Sequence, residues 1–203
     1  MTVQPTKFEY IREAIIQAVQ SKMSDKRFQH VLGVEESAVA LAQQYDCSVE
    51  KASIAALTHD YAKERSDEEF RYIINEQGFD HELLNWGNEI WHGVVGAYFV
   101  QTELGIEDEM ILQAIRLHTT GAAEMTLLDK IIYVADYIEA GRNFPGVDEA
   151  RRLAKLDLNQ AVAYETQQTL LYLIAKKLPI YPKTLETYNK WVAYKKLGGD
   201  SHR

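Results

Sequence analysis

The sequence predicts an all-α protein, because its apolar residues recur at helical spacing and polar capping residues divide them into segments. The first apolar stripe consists of Phe8, Ile11, Ile15 and Val19, which lie three or four residues apart. No segment alternates apolar and polar residues as a half-buried strand would. The 203 residues, 46% of them hydrophobic, suffice for one domain with its own core. We therefore expect a single helical domain over residues 1–203.

Capping residues indicate where the first helices begin and end. Ser24 and Ser48 are suited to cap the second and third helices, and Ser66 with Glu69 forms a capping-box pattern before the fourth. Gly78 is expected to end the fourth helix. A loop-rich stretch is expected to follow, up to residue 87.

The second half of the chain continues the helical pattern. Gly105 is expected to end one helix, and Thr126 with Asp129 to cap another. A turn is expected over residues 144–146, and a frayed tail over 198–203. The predicted helices span residues 94–104, 107–118, 127–140, 147–178 and 183–197.

Charge and composition restrict the partners. The net charge is −8, and no run of Lys or Arg exceeds two residues, so we expect no nucleic acid partner. A compact anionic ligand remains open, because bound metals can reverse the charge locally. The single cysteine, Cys47, can form no disulfide within the chain, which fits a reducing cytoplasm. No stretch approaches the roughly 18 apolar residues of a membrane span, and residues 1–7 lack the apolar run of a signal peptide.

Histidines and aspartates on different predicted helices form the candidate site. A lone histidine is more often an ordinary surface or core residue, and we interpret His81 and His202 in that way. Imidazole and carboxylate together suit divalent transition metals, so manganese, cobalt, nickel, zinc and iron all fit. The alanines at 52, 55 and 56 either let neighbouring helices approach or are ordinary helix formers. The candidate ligands are His30, His59, Asp60, His92, His118 and Asp136.

The segments that carry these residues resemble the HD superfamily of metal-dependent phosphohydrolases. The minimal pattern of that superfamily needs only His30, the pair His59-Asp60, and Asp136. The further histidines 92 and 118 resemble those of its dinuclear branch. The chain resembles most the YqeK group, the symmetrical bis(5′-nucleosyl)-tetraphosphatases, over about residues 10–190. The matching segments are 27–34, 59–63, 92–97, 118–121, 129–136 and 182–189.

This resemblance implies a fold, a reaction and a ligand set. The fold would be an HD-domain helical bundle, with its metal-site core over about residues 24–142 and a C-terminal helical extension over about 147–197. The reaction would split diadenosine tetraphosphate into two ADP at a di-iron centre. One metal would bind His30, His59, Asp60 and Asp136. The other would bind His92 and His118 and share Asp60.

Basic and hydroxyl side chains beside these ligands are candidates for binding phosphate. Lys63 follows Asp60 by three residues and is placed for a catalytic or phosphate-binding role, unless it is a solvated lysine that pairs with a neighbouring acid. The other phosphate candidates are Arg27, Thr119, Thr120, Gly121 and Arg142. These remaining candidates could also be ordinary helix stops or helix-end cations. A nucleoside diphosphate product, ADP or GDP, would occupy the same pocket.

Two other classes of function remain open from the residues. Another HD phosphohydrolase, such as a 5′-nucleotidase, a deoxynucleoside triphosphatase or an alarmone hydrolase, would use the same ligands. A regulatory HD module would bind a nucleotide without hydrolysing it, and metal content would distinguish it from an enzyme. Apolar residues such as Leu170, Leu171 and Ile174 serve either the core or a homodimer interface.

Overall fold

The computed structural model describes residues 6–193, and this part of the chain contains eleven α-helices and no strand. A short 3-10 helix covers His81–Asn85, and a π-helical turn covers Asn189–Ala193. The all-α prediction is confirmed. The helices are α1 Lys7–Gln20, α2 Asp25–Gln44, α3 Val49–Thr58, α4 Asp67–Glu76, α5 Asn88–Val94, α6 Gly96–Leu104, α7 Glu109–Leu117, α8 Leu127–Ile138, α9 Val147–Leu156, α10 Leu158–Lys176 and α11 Pro182–Tyr188.

Helix α3 lies at the centre of the bundle and packs against α1, α2, α7 and α8. All residues from Ala52 to Thr58 are buried, so the helix has almost no solvent face. The side chains of Ala52, Ala55 and Ala56 are fully buried, and their small size lets several helices approach the same axis. The end of α3 therefore lies deep in the protein, where residues from the surrounding helices can meet it.

The predicted capping residues are confirmed. The hydroxyls of Ser24 and Ser48 accept hydrogen bonds from backbone N–H groups in the first turns of α2 and α3. Capping boxes begin α4 at Ser66 and α8 at Thr126. Gly105 ends α6 in the left-handed conformation, at φ 66°. The side-chain caps join groups three residues apart or fewer, which is why the sequence alone reveals them.

Two parts of the chain differ from the expected elements. Residues 88–93, which none of the predicted helices covers, form most of α5, which packs against α6 and α7. The helical stretch expected over 147–178 consists of two helices, because the chain is interrupted at Asp157, whose backbone is extended at φ −160° and ψ 111°. The carboxylate of Asp157 accepts hydrogen bonds from the N–H groups of Asn159 and Gln160, and so begins α10 as a new helix.

At the C-terminal end, Pro182 occupies the first turn of α11, which ends at Tyr188. The expected helix over 183–197 and the expected tail, including His202, extend outside the described residues. Of the apolar residues considered for an interface, Leu170 is buried, whereas Leu171 and Ile174 are exposed. None of the described helices is long and apolar enough to cross a membrane.

Arg151 of α9 fixes the segment that follows α8. Its guanidinium donates hydrogen bonds to the carbonyls of Ile138 and Glu139 at 2.9 Å and to that of Arg142 at 2.8 Å. These carbonyls lie at and beyond the C-terminal end of α8, where intrahelical partners are lacking. Arg151 thereby holds the backbone of residues 139–142 in place beside α2.

Replacing Arg151 with Ala is expected to lower the free energy of unfolding by about 1.5–3 kcal/mol, because a charged donor is lost and carbonyls lose their partner. Arg152→Ala is the matched control, since Arg152 makes only an exposed ion pair with Glu149. That variant should unfold at nearly the same urea concentration as the natural chain, because an exposed ion pair contributes little to stability. Urea denaturation measures both, and equal losses would contradict the role given to Arg151.

Candidate metal centre

The six predicted ligand residues converge at one point in the bundle. His30 comes from α2, His92 from α5 and Asp136 from α8. His59 and His118 are the residues that follow the last residues of α3 and α7, and Asp60 follows His59. Five helices therefore contribute to one cluster. Three overlapping groups in it have ligand atoms within 4.8 Å of one another: His30, His59 and Asp60; His59, His118 and Asp136; and Asp60, His92 and His118.

Asp60 lies at the middle of this cluster and is only 3% exposed. Its Oδ2 faces Nε2 of His30 at 3.7 Å and Nε2 of His59 at 3.5 Å. Its Oδ1 faces Nε2 of His92 at 3.6 Å and Nε2 of His118 at 3.8 Å. The two oxygens of one carboxylate thus serve two different histidine pairs. This is the arrangement by which a carboxylate can bridge two metal ions.

Each of the four imidazoles is oriented through its Nδ1, so that Nε2 faces inward. For three of them, Nδ1 lies at 2.5–2.7 Å from a backbone carbonyl. A carbonyl can only accept, so Nδ1 carries the proton and Nε2 carries a lone pair. The three carbonyls belong to Ala56, Asn88 and Ile115, for His59, His92 and His118 respectively.

Two of the inward-facing nitrogens, Nε2 of His30 and Nε2 of His59, have no hydrogen-bond partner among the described residues. Nε2 of His92 and Nε2 of His118 are 3.1 Å apart, although both carry lone pairs. Nε2 of His30 is 3.0 Å from Oδ1 of Asp136, again an acceptor against an acceptor. Such contacts are repulsive unless a cation lies between the atoms, so the donor set fits divalent metal ions.

Burial and charge set the protonation of the cluster. Burial, with the nearby charges of His118 and Lys63, lowers the pKa of His92 to about 3. Burial and the charge of His59 lower the pKa of His118 to about 4. Burial also opposes the charged form of His59, but Asp60 and Asp136 outweigh it and raise the pKa of His59. His92 and His118, the second histidine pair, are therefore neutral at physiological pH, and neutral imidazole is the form that binds metal.

Burial raises the pKa of a carboxyl group, yet neighbouring cations more than compensate for it in both aspartates. The positive charge that builds up on His59 holds the pKa of Asp60 well below its usual range. For Asp136, the close contact with His30 and the charges of His59 and Arg142 lower the pKa. Both carboxylates are thus ionised.

Three basic residues predicted from the sequence lie at the edge of the cluster. Nη1 of Arg27 is 2.7 Å from Oδ2 of Asp60, and Nη2 of Arg142 is 2.5 Å from Oδ1 of Asp136. Nζ of Lys63 is 3.3 Å from Nε2 of His92, and burial lowers the pKa of this lysine. An anion that enters the cluster would meet all three cations.

Of the three residues after His118, only Thr119 directs a polar side-chain group at the cluster. Its Oγ1 lies 3.1 Å from Nε2 of both His92 and His118. The hydroxyl of Thr120 donates instead to the carbonyl of Gly121, and the N–H of Gly121 donates to the carbonyl of Leu117. Gly121 has φ +61°, a left-handed backbone conformation at the end of α7, where its N–H caps the helix.

Sequence reasoning missed Glu139, which contacts the cluster from the segment after α8. Its Oε1 lies 3.1 Å from Nδ1 of His30. A glutamate at a helix end is usually solvated, so nothing in a single sequence marks this one. By contrast His81, which we expected to be a surface residue, is exposed at the start of its 3-10 helix.

Two clefts lie near the cluster, one lined in part by His30 and the other by Thr119. One has a volume of about 830 Å³ and is lined by polar residues, including Arg27, His30 and Arg142. The other has a volume of about 360 Å³ and is more apolar. Its lining includes Thr119 together with Trp86, Ile90, Leu173 and Tyr181.

Residues 27–141 match the HD domain family, and this span holds all six residues of the cluster. The chain belongs to the HD domain family. A symmetrical bis(5′-nucleosyl)-tetraphosphatase of Bacillus subtilis is 48% identical over 178 residues, which cover 88% of this chain and 96% of that protein. A Staphylococcus aureus protein of the same name is 39% identical over 170 residues, covering 83% and 88%.

A solved HD structure has the same fold. It is the crystal structure of a protein described as a predicted HD superfamily hydrolase involved in NAD metabolism, from Clostridium acetobutylicum. The TM-score is 0.85 at 39% sequence identity, and the alignment covers 90% of this chain and 97% of that one. The HD fold predicted from the resemblance is confirmed.

Lowering the pH from 7.5 to 5 should weaken metal binding unequally across this HD site. Metal requires neutral imidazole, so the site that includes His59, whose pKa is raised, should lose up to about tenfold in affinity per pH unit below that pKa. Sites that depend on His92 and His118 should change little, because their pKa values are about 3 and about 4. Calorimetric titration with manganese at several pH values would measure this. Parallel loss at all sites would contradict it.

Proposed function

We propose that this chain is a metal-dependent hydrolase that cleaves dinucleoside tetraphosphates symmetrically, converting diadenosine tetraphosphate into two ADP. The observation that carries the proposal is the Asp60 carboxylate, whose two oxygens each face a pair of histidine nitrogens. Two metals bridged in this way suit hydrolysis of a phosphoanhydride. The symmetrical tetraphosphatases that share 48% and 39% identity with this chain support the choice of substrate.

The proposed ligand sets follow the two sides of Asp60. One ion would bind His30, His59, Asp60 and Asp136, and the other would bind His92, His118 and Asp60. We propose iron because the chain resembles di-iron enzymes, whereas imidazole and carboxylate ligands by themselves suit several divalent metals. When bound, the metals would withdraw charge from phosphate oxygens and make hydroxide available from water near neutral pH.

The residues of the chain would position the substrate for attack on its central bridge. Lys63 and Thr119, beside the second histidine pair, are suited to contact the oxygens of the attacked phosphate. Arg27 and Arg142 already neutralise the ligand carboxylates and face the larger cleft, where they would meet the remaining phosphates. Water adds to one central phosphorus while the bond to the bridging oxygen breaks. The second nucleoside diphosphate leaves with that oxygen.

The two unequal clefts fit a substrate with two nucleosides. One half would lie in the smaller apolar cleft, where Trp86 and Tyr181 offer aromatic surface to a base. The other half would lie in the larger polar cleft, where we expect weaker selectivity for the identity of the base. A nucleoside diphosphate, ADP or GDP, would then be a natural product ligand.

Other HD phosphohydrolase activities are tested by a substrate panel. It should contain diadenosine tetraphosphate, a nucleoside monophosphate, a deoxynucleoside triphosphate and a guanosine alarmone. NAD belongs in the panel because the Clostridium relative is described as involved in NAD metabolism. A regulatory module would leave every compound intact, and metal analysis of the purified protein would show whether it lacks stoichiometric metal.

Replacing Asp60 with Ala should reduce hydrolysis by at least about 100-fold and deplete both metals, because this residue would be a ligand to each. His92→Ala or His118→Ala should deplete one metal selectively, and His30→Ala should deplete the other. Elemental analysis and turnover with diadenosine tetraphosphate measure these effects. The exposed His81→Ala is the matched control and should retain both metals. Two fully occupied metals in the His92 and His118 variants would refute the assignment.

Hydrolysis of diadenosine tetraphosphate in oxygen-18 water tests the cleavage position. Symmetrical attack should place one labelled oxygen on the terminal phosphate of one ADP for each substrate consumed, and leave the other ADP unlabelled. Mass spectrometry of the products measures the label. AMP and ATP as primary products would contradict the proposed cleavage position, but they would not contradict the proposed metal site.

A further inference from the structure

Glu139 is a buried carboxylate that belongs to neither proposed ligand set. It is 5% exposed and follows the last residue of α8. Its Oε1 lies 3.1 Å from Nδ1 of His30, and its Oε2 accepts a hydrogen bond from the N–H of Gly141. His30 is thus the histidine of the cluster whose Nδ1 contacts a carboxylate from a distant segment, whereas the other three contact carbonyls within four residues.

We propose that Glu139 is a positioning residue, which orients His30 and strengthens metal binding at the position that includes His30. This inference rests on the proposed metal-dependent function. A carboxylate accepts hydrogen bonds, so it holds the proton of His30 on Nδ1 and leaves the lone pair of Nε2 facing Asp60 and Asp136. Its charge also makes the imidazole a more basic ligand.

The position of His30 in its helix differs from the positions of His59 and His118. His59 and His118 stand at the C-terminal ends of α3 and α7, where the last carbonyls lack intrahelical partners and can accept from an imidazole. His30 lies well inside α2, where the carbonyls of the preceding turn serve the helix itself. His92, inside α5, uses the carbonyl of Asn88 one turn earlier, whereas Nδ1 of His30 contacts Glu139, which lies outside α2.

Two glycines leave the space that this carboxylate occupies. A Cβ at Gly33, on α2, would lie 2.7 Å from Oε2 of Glu139, and a Cβ at Gly141 would lie 3.0 Å from the same atom. Glycine inside a helix ordinarily weakens the helix relative to alanine. The carboxylate of Glu139, which occupies the space that a side chain at position 33 would need, gives a reason for the glycine. Arg151 fixes the backbone by donating to the carbonyl of Glu139.

The test is manganese titration of the full chain and its variants by calorimetry. Glu139→Ala should weaken the position lost in His30→Ala by about 10- to 100-fold and leave the other position unchanged. Glu139→Gln keeps the shape and the acceptor without the charge, so it should show a smaller loss. Gly33→Ala should resemble Glu139→Ala, because the new methyl displaces the carboxylate, although alanine favours the helix. Glu36→Gln neutralises an exposed acid on α2 and is the matched control, with both affinities unchanged.

Nitrogen-15 NMR of the metal-free protein gives a second measurement that does not depend on hydrolysis. At a pH where His30 is neutral, its proton should lie on Nδ1 in the natural chain and be shared between both nitrogens in Glu139→Ala. Unchanged affinities and an unchanged tautomer would overturn the proposal. Equal weakening of both metal positions would also overturn it, by showing a general structural role. Two tightly bound metals without cleavage of diadenosine tetraphosphate would refute the proposed function alone.

Discussion

A carboxylate buried among four imidazoles is the constraint on which the rest of the structure depends. Removing Asp60 from water opposes its ionisation, and only nearby positive charge keeps it charged. Arg27 supplies one such charge from the rim. His59, which lies beside the same carboxylate, supplies another. A divalent metal ion would add further positive charge at the same point.

The bundle satisfies this constraint by placing helix ends, as well as helix faces, around one point. α3 runs through the middle of the protein with small side chains, so its C-terminal end can deliver the adjacent pair His59 and Asp60 into the interior. α7 ends in the same region and delivers His118. Free carbonyls at these two ends orient the imidazoles without further residues.

Helices α2 and α8 contribute candidate ligands from their interiors, and other side chains support these two residues. His30 and Asp136 face each other, and Glu139 and Arg142 lie behind them. Arg151 from α9 fixes the backbone of that support. A helix outside the metal-site core thus contributes to the geometry of the centre, which gives the C-terminal helices a role beyond covering the core.

Much of the fold and of the candidate site could be predicted from the sequence, because the signals involved are local. Caps such as Ser24 and Ser66 bind backbone groups within three residues. The candidate metal ligands can be recognised by residue type and order in the sequence, without knowledge of how the helices pack. The sequence by itself therefore determined the helical class, most helix starts and the six candidate ligands.

Other features were decided only by tertiary packing. α5 is a short helix in a stretch for which the sequence predicted no element, and it packs against α6 and α7. The directions of the Thr120 hydroxyl and the Gly121 N–H depend on how the chain leaves α7. Glu139 reaches His30 across 109 positions in the chain. No local pattern records such a contact, because it exists only when two helices have packed and the glycine between them has left room.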